Sequence, residues 1–227
     1  MLKLIFQDSI TGKRESNQDS YLYKELDNET IIVAVADGMG GGIKGEEASK
    51  LAIDILDREI TKPLEYPLIH LKNIIFTINN EVKLLLDGEK GGTTLSVAYY
   101  NSGKIYYLSI GDSRVWICRD NKVLYLSKDQ NLYEFNILKN KKASLDDKRL
   151  IFRVIGISSN KEIEAILEDK AWFASGVFEM QKDDILLLSS DGFHDYVVNP
   201  CLDLEISFDI ARDISNDNIT LIALKEE

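Results

Sequence analysis

Two apolar, β-branched runs in this chain each end in Asp-Gly: Ile31 to Ala36 leads into Asp37-Gly38, and Ile185 to Ser190 leads into Asp191-Gly192. A single Asp-Gly after a strand is ordinarily a turn. Two of them would deliver two carboxylates to one rim. After Asp37 comes Met39-Gly40-Gly41-Gly42, too flexible for a tight hairpin and bare enough for the backbone to approach a ligand closely. Further acids sit at junctions beside apolar runs, in Arg14-Glu15-Ser16-Asn17-Gln18-Asp19, Gly111-Asp112-Ser113-Arg114 and Asp217-Asn218. Carboxylate, carbonyl and water oxygens are hard ligands that suit magnesium or manganese, whereas zinc and copper favour histidine and cysteine clusters. The chain has two histidines, His70 and His194, too few for a histidine site.

The elements that must position these acids are legible from periodicity. Gly45-Glu46-Glu47-Ala48-Ser49 leads into Leu51, Ala52, Ile55, Leu56 and Ile60, which predicts an amphipathic helix with acids in its first turn. After Pro63 and Pro67, apolar residues from Leu68 to Leu85 recur in steps of three and four until Gly88, predicting a second helix. From Thr93 the period becomes two: Thr94 to Tyr100, Lys104 to Ile110, Arg114 to Cys118 and Lys122 to Leu126, read together as an antiparallel meander. Residues 130–157 are charged and read as a mobile segment. A short helix over Ile206 to Ile214 and a last strand over Ile219 to Leu224 follow.

The 227 residues are 44% hydrophobic, enough for one large core, and no repeat or linker divides them, so one domain over residues 1–227 is expected. Asp plus Glu number 38 against 27 Lys plus Arg, and the net charge of −11 argues against nucleic acid or an anionic membrane as partner. Cys118 and Cys201 lie far apart with no Cys-x-x-Cys companion, so reduced, buried thiols are expected. The apolar run at Leu2, Leu4, Ile5 and Phe6 is too short for a signal-peptide core, and no run reaches membrane-spanning length, which predicts a soluble cytoplasmic protein.

Seven motifs in order resemble the metal-dependent, type-2C (PPM) serine/threonine protein phosphatases, above all their compact bacterial members. They are Arg14-x-x-Asn17-Gln18-Asp19, Asp37-Gly38-Met39-Gly40-Gly41, Gly45-Glu46-Glu47-Ala48-Ser49, Gly92-Thr93-Thr94, Gly111-Asp112-Ser113-Arg114, Ser190-Asp191-Gly192 and Asp217-Asn218-x-Thr220. The resemblance implies an α+β fold, a four-layer αββα sandwich of two central antiparallel sheets flanked by antiparallel helices. It implies hydrolysis of phosphoserine and phosphothreonine by a water bridging two Mn²⁺ or Mg²⁺ ions, with no covalent phosphoenzyme. Asp37 would bridge the ions, and the Gly38 carbonyl would bind one of them, giving the glycine its reason. Asp191 and Asp217 would hold the other, Asp19 would accept hydrogen bonds from metal-held water, and Arg14 would bind phosphate. Asp112 and Asp195, with Asp191, match the acids of a weakly bound third metal. The implied partners are phosphorylated proteins made by serine/threonine kinases, and the implied state is a monomer.

The match departs in three places. Gln18 stands where relatives often have Glu. Met39 stands where eukaryotic relatives place a histidine that protonates the leaving alkoxide, and a thioether cannot do this; water at the metal ions would replace it, with His194 the conceivable substitute. The interval from Asp191 to Asp217 is shorter than usual. Residues 130–157 correspond to the flap over the active site, whose lysines could meet acidic phosphopeptides. A catalytically weak relative that binds phosphoproteins is the competing reading, favoured only had a core acid been lost, and a two-metal phosphoesterase of nucleotides would ask for more histidines.

Overall fold

Ile31, Val33 and Val35 alternate with Ile32, Ala34 and Ala36, and all six are buried, so their strand must be covered on both faces. The structure, a computed structural model that describes residues 1–39, 43–125 and 127–227, shows what covers it. The strands are β1 (Leu2–Ile10), β2 (Asp19–Asp27), β3 (Thr30–Met39), β4 (Gly92–Thr93), β5 (Leu95–Asn101), β6 (Lys104–Ile110), β7 (Arg114–Arg119), β8 (Lys122–Tyr125), β9 (Ser175–Glu179), β10 (Ile185–Ser189) and β11 (Ile219–Glu226). One sheet has the order β1-β11-β10-β7-β8; the other has β2-β3-β5-β6-β9, with β4 pairing the end of β3. All pairs are antiparallel. The expected Gly40-Gly41-Gly42 loop and the end of the strand at Leu126 lie outside the described residues.

The odd positions of β3 meet Val115, Ile117, Leu186, Leu188, Ile222 and Leu224 of the facing sheet and form the core between sheets. Its even positions pack under α1 (Ile43–Glu59) and α2 (Pro67–Leu86), whose Leu56, Ile75 and Val82 are buried there. The outer face of the other sheet, with Trp116, Leu187 and Leu221, is covered by Phe193 of α5 (Asp191–His194) and by Phe208 and Ala211 of α6 (Leu204–Ile214). These are the four layers of an αββα sandwich. Among the described residues no helix is long and apolar enough to cross a membrane.

Three expectations are corrected. The meander is two hairpins: β6 pairs with β9, β7 pairs with β10, and the chain crosses between sheets at Gly111-Asp112-Ser113. Gly111 turns there at φ +99°, and a Cβ would lie 2.7 Å from the Thr94 side chain. The 130–157 segment is ordered by α3 (Leu132–Leu138) and a 3-10 helix (Leu145–Arg149), with bridges at Asn131–Ile151 and Thr93–Ile155; α4 (Asn160–Glu168) follows. Cys118 and Cys201 form a disulfide, because the outer face of β7 meets the loop before α6, a contact across 83 positions that local spacing cannot reveal. Disulfides persist in oxidising surroundings and are rare in the cytosol, so a cytoplasmic location loses the support that free thiols lent it.

Candidate active site

Alternation along β3 carries past Val35 to Asp37, whose side chain therefore faces the gap between the sheets at its open rim. Asp19 stands opposite it on β2. From the facing sheet the rim positions beyond Leu188 and Ile222 are Ser190 and Thr220, and both hydroxyls donate to Asp19 Oδ2 at 2.7 Å. Asp19 thus ties the two sheets together, while among the described residues no N–H or hydroxyl reaches its buried Oδ1.

The backbone at Asp37 is held on both sides. Its N–H donates to Thr94 Oγ1 at 2.9 Å, and its carbonyl accepts from Thr94 N–H and Thr93 Oγ1, both at 2.9 Å. Gly38 N–H donates to the Gln18 carbonyl at 3.1 Å. A Cβ at position 38 would lie 2.2 Å from the Gly45 carbonyl oxygen of α1. The glycine is required by this close approach; a carbonyl ligand could come from any residue, so that part of the expectation is corrected.

Asp191 opens α5, and beneath it Gly192 lies so close to Asn218 that a Cβ would be 1.9 Å from its carbonyl oxygen. That contact brings Asp191 beside Asp217. The Asn218 side chain accepts from Gln18 N–H at 2.9 Å and donates to the Thr11 and Ser16 carbonyls at 2.8 Å each. It therefore fixes the loop that carries Arg14, whose Nη2 donates to Asp217 Oδ2 at 2.7 Å. Ser190, Asn218 and Thr220 fall within the sequence motifs, yet nothing local gives them a role; their partners lie 30 to more than 200 positions away.

The carboxylates repel one another. Desolvation first, then Asp19, Asp191, Asp112 and Asp217, push the Asp37 carboxyl well above the usual range. Desolvation and then Asp217 raise Asp191 to about 7, and desolvation raises Asp19 to about 6 in spite of its two hydroxyl donors. Asp112 is pushed well up by burial and by Asp191. The Asp217 hydrogen bond raises Arg14. Among the described residues no three acids, histidines or cysteines are drawn close enough to form a ready metal site. The donor set nonetheless fits a hard cation: among the described residues Asp19, Asp112 and Asp191 each keep one buried oxygen that no N–H or hydroxyl reaches, with the Asp37 carboxyl beside Asp19 and Asp191, and a divalent ion is what such oxygens and such repulsion call for.

An open cleft of about 910 Å³ joins Arg14, Asp37, Asp191 and Asp217 to the 3-10 helix, with Met39 and Tyr196 on its walls. Asp112, Asp191 and Asp195 also border a smaller cavity of about 40 Å³ beside it. Asp195 is engaged by Lys148 of the 3-10 helix, Nζ to Oδ1 2.7 Å. His194 borders the small cavity, outside the cleft, and is buried; its Nδ1 meets Ser189 Oγ at 3.0 Å, and burial keeps its pKa well below the ordinary value, so the ring is neutral. Lys139 and Lys141 lie over the Phe135 ring, and the cations of the 130–157 segment that reach the cleft are Lys148 and Arg149.

The same antiparallel two-sheet sandwich is found in solved bacterial phosphatases. The chain superposes on the Mycobacterium tuberculosis serine/threonine phosphatase PstP/Ppp with a TM-score of 0.82 at 23% identity, over 100% of this chain and 99% of that one. The PstP catalytic domain in complex with two manganese ions matches with a TM-score of 0.78 at 23% identity, covering 99% of each chain. In sequence, the serine/threonine phosphatase stp of Listeria welshimeri is 28% identical over 200 residues, 81% of this chain and 75% of the relative. The protein phosphatase 2C family model matches residues 7–212, and the chain belongs to that family. It is a protein phosphatase of a metal-dependent family.

Proposed function

We propose that residues 1–227 form one type-2C catalytic domain that hydrolyses phosphoserine and phosphothreonine in proteins phosphorylated by serine/threonine kinases, acting as a monomer. The observation that carries this reading is the convergence of Asp37, Asp112, Asp191 and Asp217 beside Arg14 in one cleft, with Asp19 buried behind Asp37 on the neighbouring strand. Asp37, the Gly38 carbonyl, Asp191 and Asp217 would hold two Mn²⁺ or Mg²⁺ ions. When bound, such ions lower the pKa of water and offset the charge of a phosphoryl group. Asp19, fixed by Ser190 and Thr220, accepts hydrogen bonds from water at the site. Arg14 swings from Asp217 to the phosphate, where its planar fork pairs two oxygens. Met39 contributes no proton, and neutral His194 stands outside the cleft, so water supplies the leaving group's proton.

Hydrolysis of a phosphothreonine peptide, followed with added manganese and with chelator, tests this. The expected result is manganese-dependent turnover that falls at least ~1,000-fold in Asp37→Asn and in Asp191→Asn, with both variants folded by circular dichroism. Turnover that survives either change, or that ignores chelator, overturns the reading.

A further inference from the structure

The small cavity beside the cleft is bordered by Asp112, Asp129, Asp191 and Asp195, with Lys148 and Arg149 above them. Asp129 is already matched, since Arg114 donates to both its oxygens at 2.6 Å. Three carboxylates remain. Asp112 is 5% exposed, and among the described residues no N–H or hydroxyl reaches one buried oxygen of Asp112 and one of Asp191. Of the two cations on the cavity, Lys148 forms the ion pair: its Nζ is 2.7 Å from Asp195 Oδ1, and both side chains are partly exposed.

Lys148 is held in this place by its own segment. Ser144 N–H donates to Asp147 Oδ2 at 2.9 Å at the start of the 3-10 helix, and Asn136 of α3 donates to the same oxygen at 3.2 Å. Leu132 N–H to the Leu150 carbonyl and Phe152 N–H to the Gln130 carbonyl, at 2.9 and 3.0 Å, pin both ends of the segment. An ammonium is a compact charge with three donors, suited to carboxylates that approach from different sides.

We propose that Lys148 is the chain's own cation for Asp112, Asp191 and Asp195, standing where the family resemblance puts a third metal ion. The inference rests on the two-metal reading of the adjoining site. A divalent ion and the ammonium compete for the same Asp195 oxygens and repel each other at that range. Because the 3-10 helix also walls the cleft, an ion that takes Asp195 from Lys148 removes one of the contacts that hold this wall in place, and wall and ion oppose each other reciprocally. The enzyme therefore fills two metal positions readily and a third only when Lys148 releases Asp195.

Counting bound Mn²⁺ by equilibrium dialysis, with free ion followed by electron paramagnetic resonance, tests the proposal on the whole chain. Wild type should bind about two ions per chain, and Lys148→Ala about three, with the third at least ~10-fold tighter than any weak third event in wild type. Lys148→Met, which keeps the aliphatic stem, should also bind about three, whereas Lys148→Arg and the Lys148→Ala, Asp195→Asn double variant should stay at about two. Three ions in wild type, or two in both Lys148→Ala and Lys148→Met, overturn the proposal. No manganese in wild type overturns the two-metal reading and this one with it.

Discussion

At Asp37 a desolvated carboxylate has four other aspartates for electrostatic neighbours, an arrangement that folding alone would not favour. Arg14 pairs with Asp217 at the same rim, and it is half-exposed on a loop held by Asn218, so it can leave Asp217 for a ligand without losing its anchor. Its value at this position is the fork, which an ammonium lacks. Arg14→Lys should keep the fold and lower kcat/KM for a phosphothreonine peptide about 10- to 100-fold, about 1.4–2.8 kcal/mol of transition-state stabilisation. Initial rates checked against an unchanged melting temperature would show it; an unchanged kcat/KM removes Arg14 from phosphate binding. Asp37 and Asp191 are legible in the sequence because an Asp-Gly ending an apolar run is a local pattern. Ser190, Thr220 and Asn218 are not, since a hydroxyl or amide shows no purpose until the chain returns to place Asp19 or Thr11 beside it.

The same limit governs whole elements. Strands and helices with a clean period, such as β3, α1 and α2, are readable, and so is α6 to within two residues. The partition of strands between sheets is not, because the three residues Gly111-Asp112-Ser113 look like a hairpin loop whether or not the strands they join are paired. α4 carries a local signal of a kind that periodicity passes over, a Ser159 to Glu162 capping box. Where elements meet the site, glycine sets the distance. Gly192→Ala would put its methyl carbon 1.9 Å from the Asn218 carbonyl oxygen and so should force α5 away. The cost should be about 2 kcal/mol or more in urea unfolding, with turnover falling in parallel. A melt and turnover equal to wild type would show that the close approach is dispensable. The disulfide ties β7 to the loop before α6 across 83 positions, so Cys201→Ser should lower unfolding free energy by about 2–4 kcal/mol. Equal denaturation midpoints with and without reductant would contradict that.

Across the molecule, these carboxylates make stability depend on cations and on pH. Burial, with the neighbouring Asp217 carboxylate, pushes Asp19 up to about 6 and Asp191 up to about 7 in the folded chain, against about 3.8 when unfolded. An acid whose folded pKa is raised keeps its proton in the native state after the unfolded chain has released it. Between about pH 4 and 7 the unfolded state therefore binds fewer protons, and stability falls as pH rises. A net charge of −11 adds self-repulsion over the whole surface. In chelator the melting temperature should drop from about pH 5 to about pH 8, and Asp37→Asn, which removes one of the repelling charges, should raise it at the upper pH while abolishing turnover. Manganese should restore most of the loss there in wild type, by the mass action of a ligand that binds only the folded state. Calorimetric scans across that pH range, with chelator and with manganese, separate these effects: a melting temperature in chelator that is flat or rising with pH would mean that the acids at the rim are not held as like charges. The same scans on Asp37→Asn would then show no stabilisation.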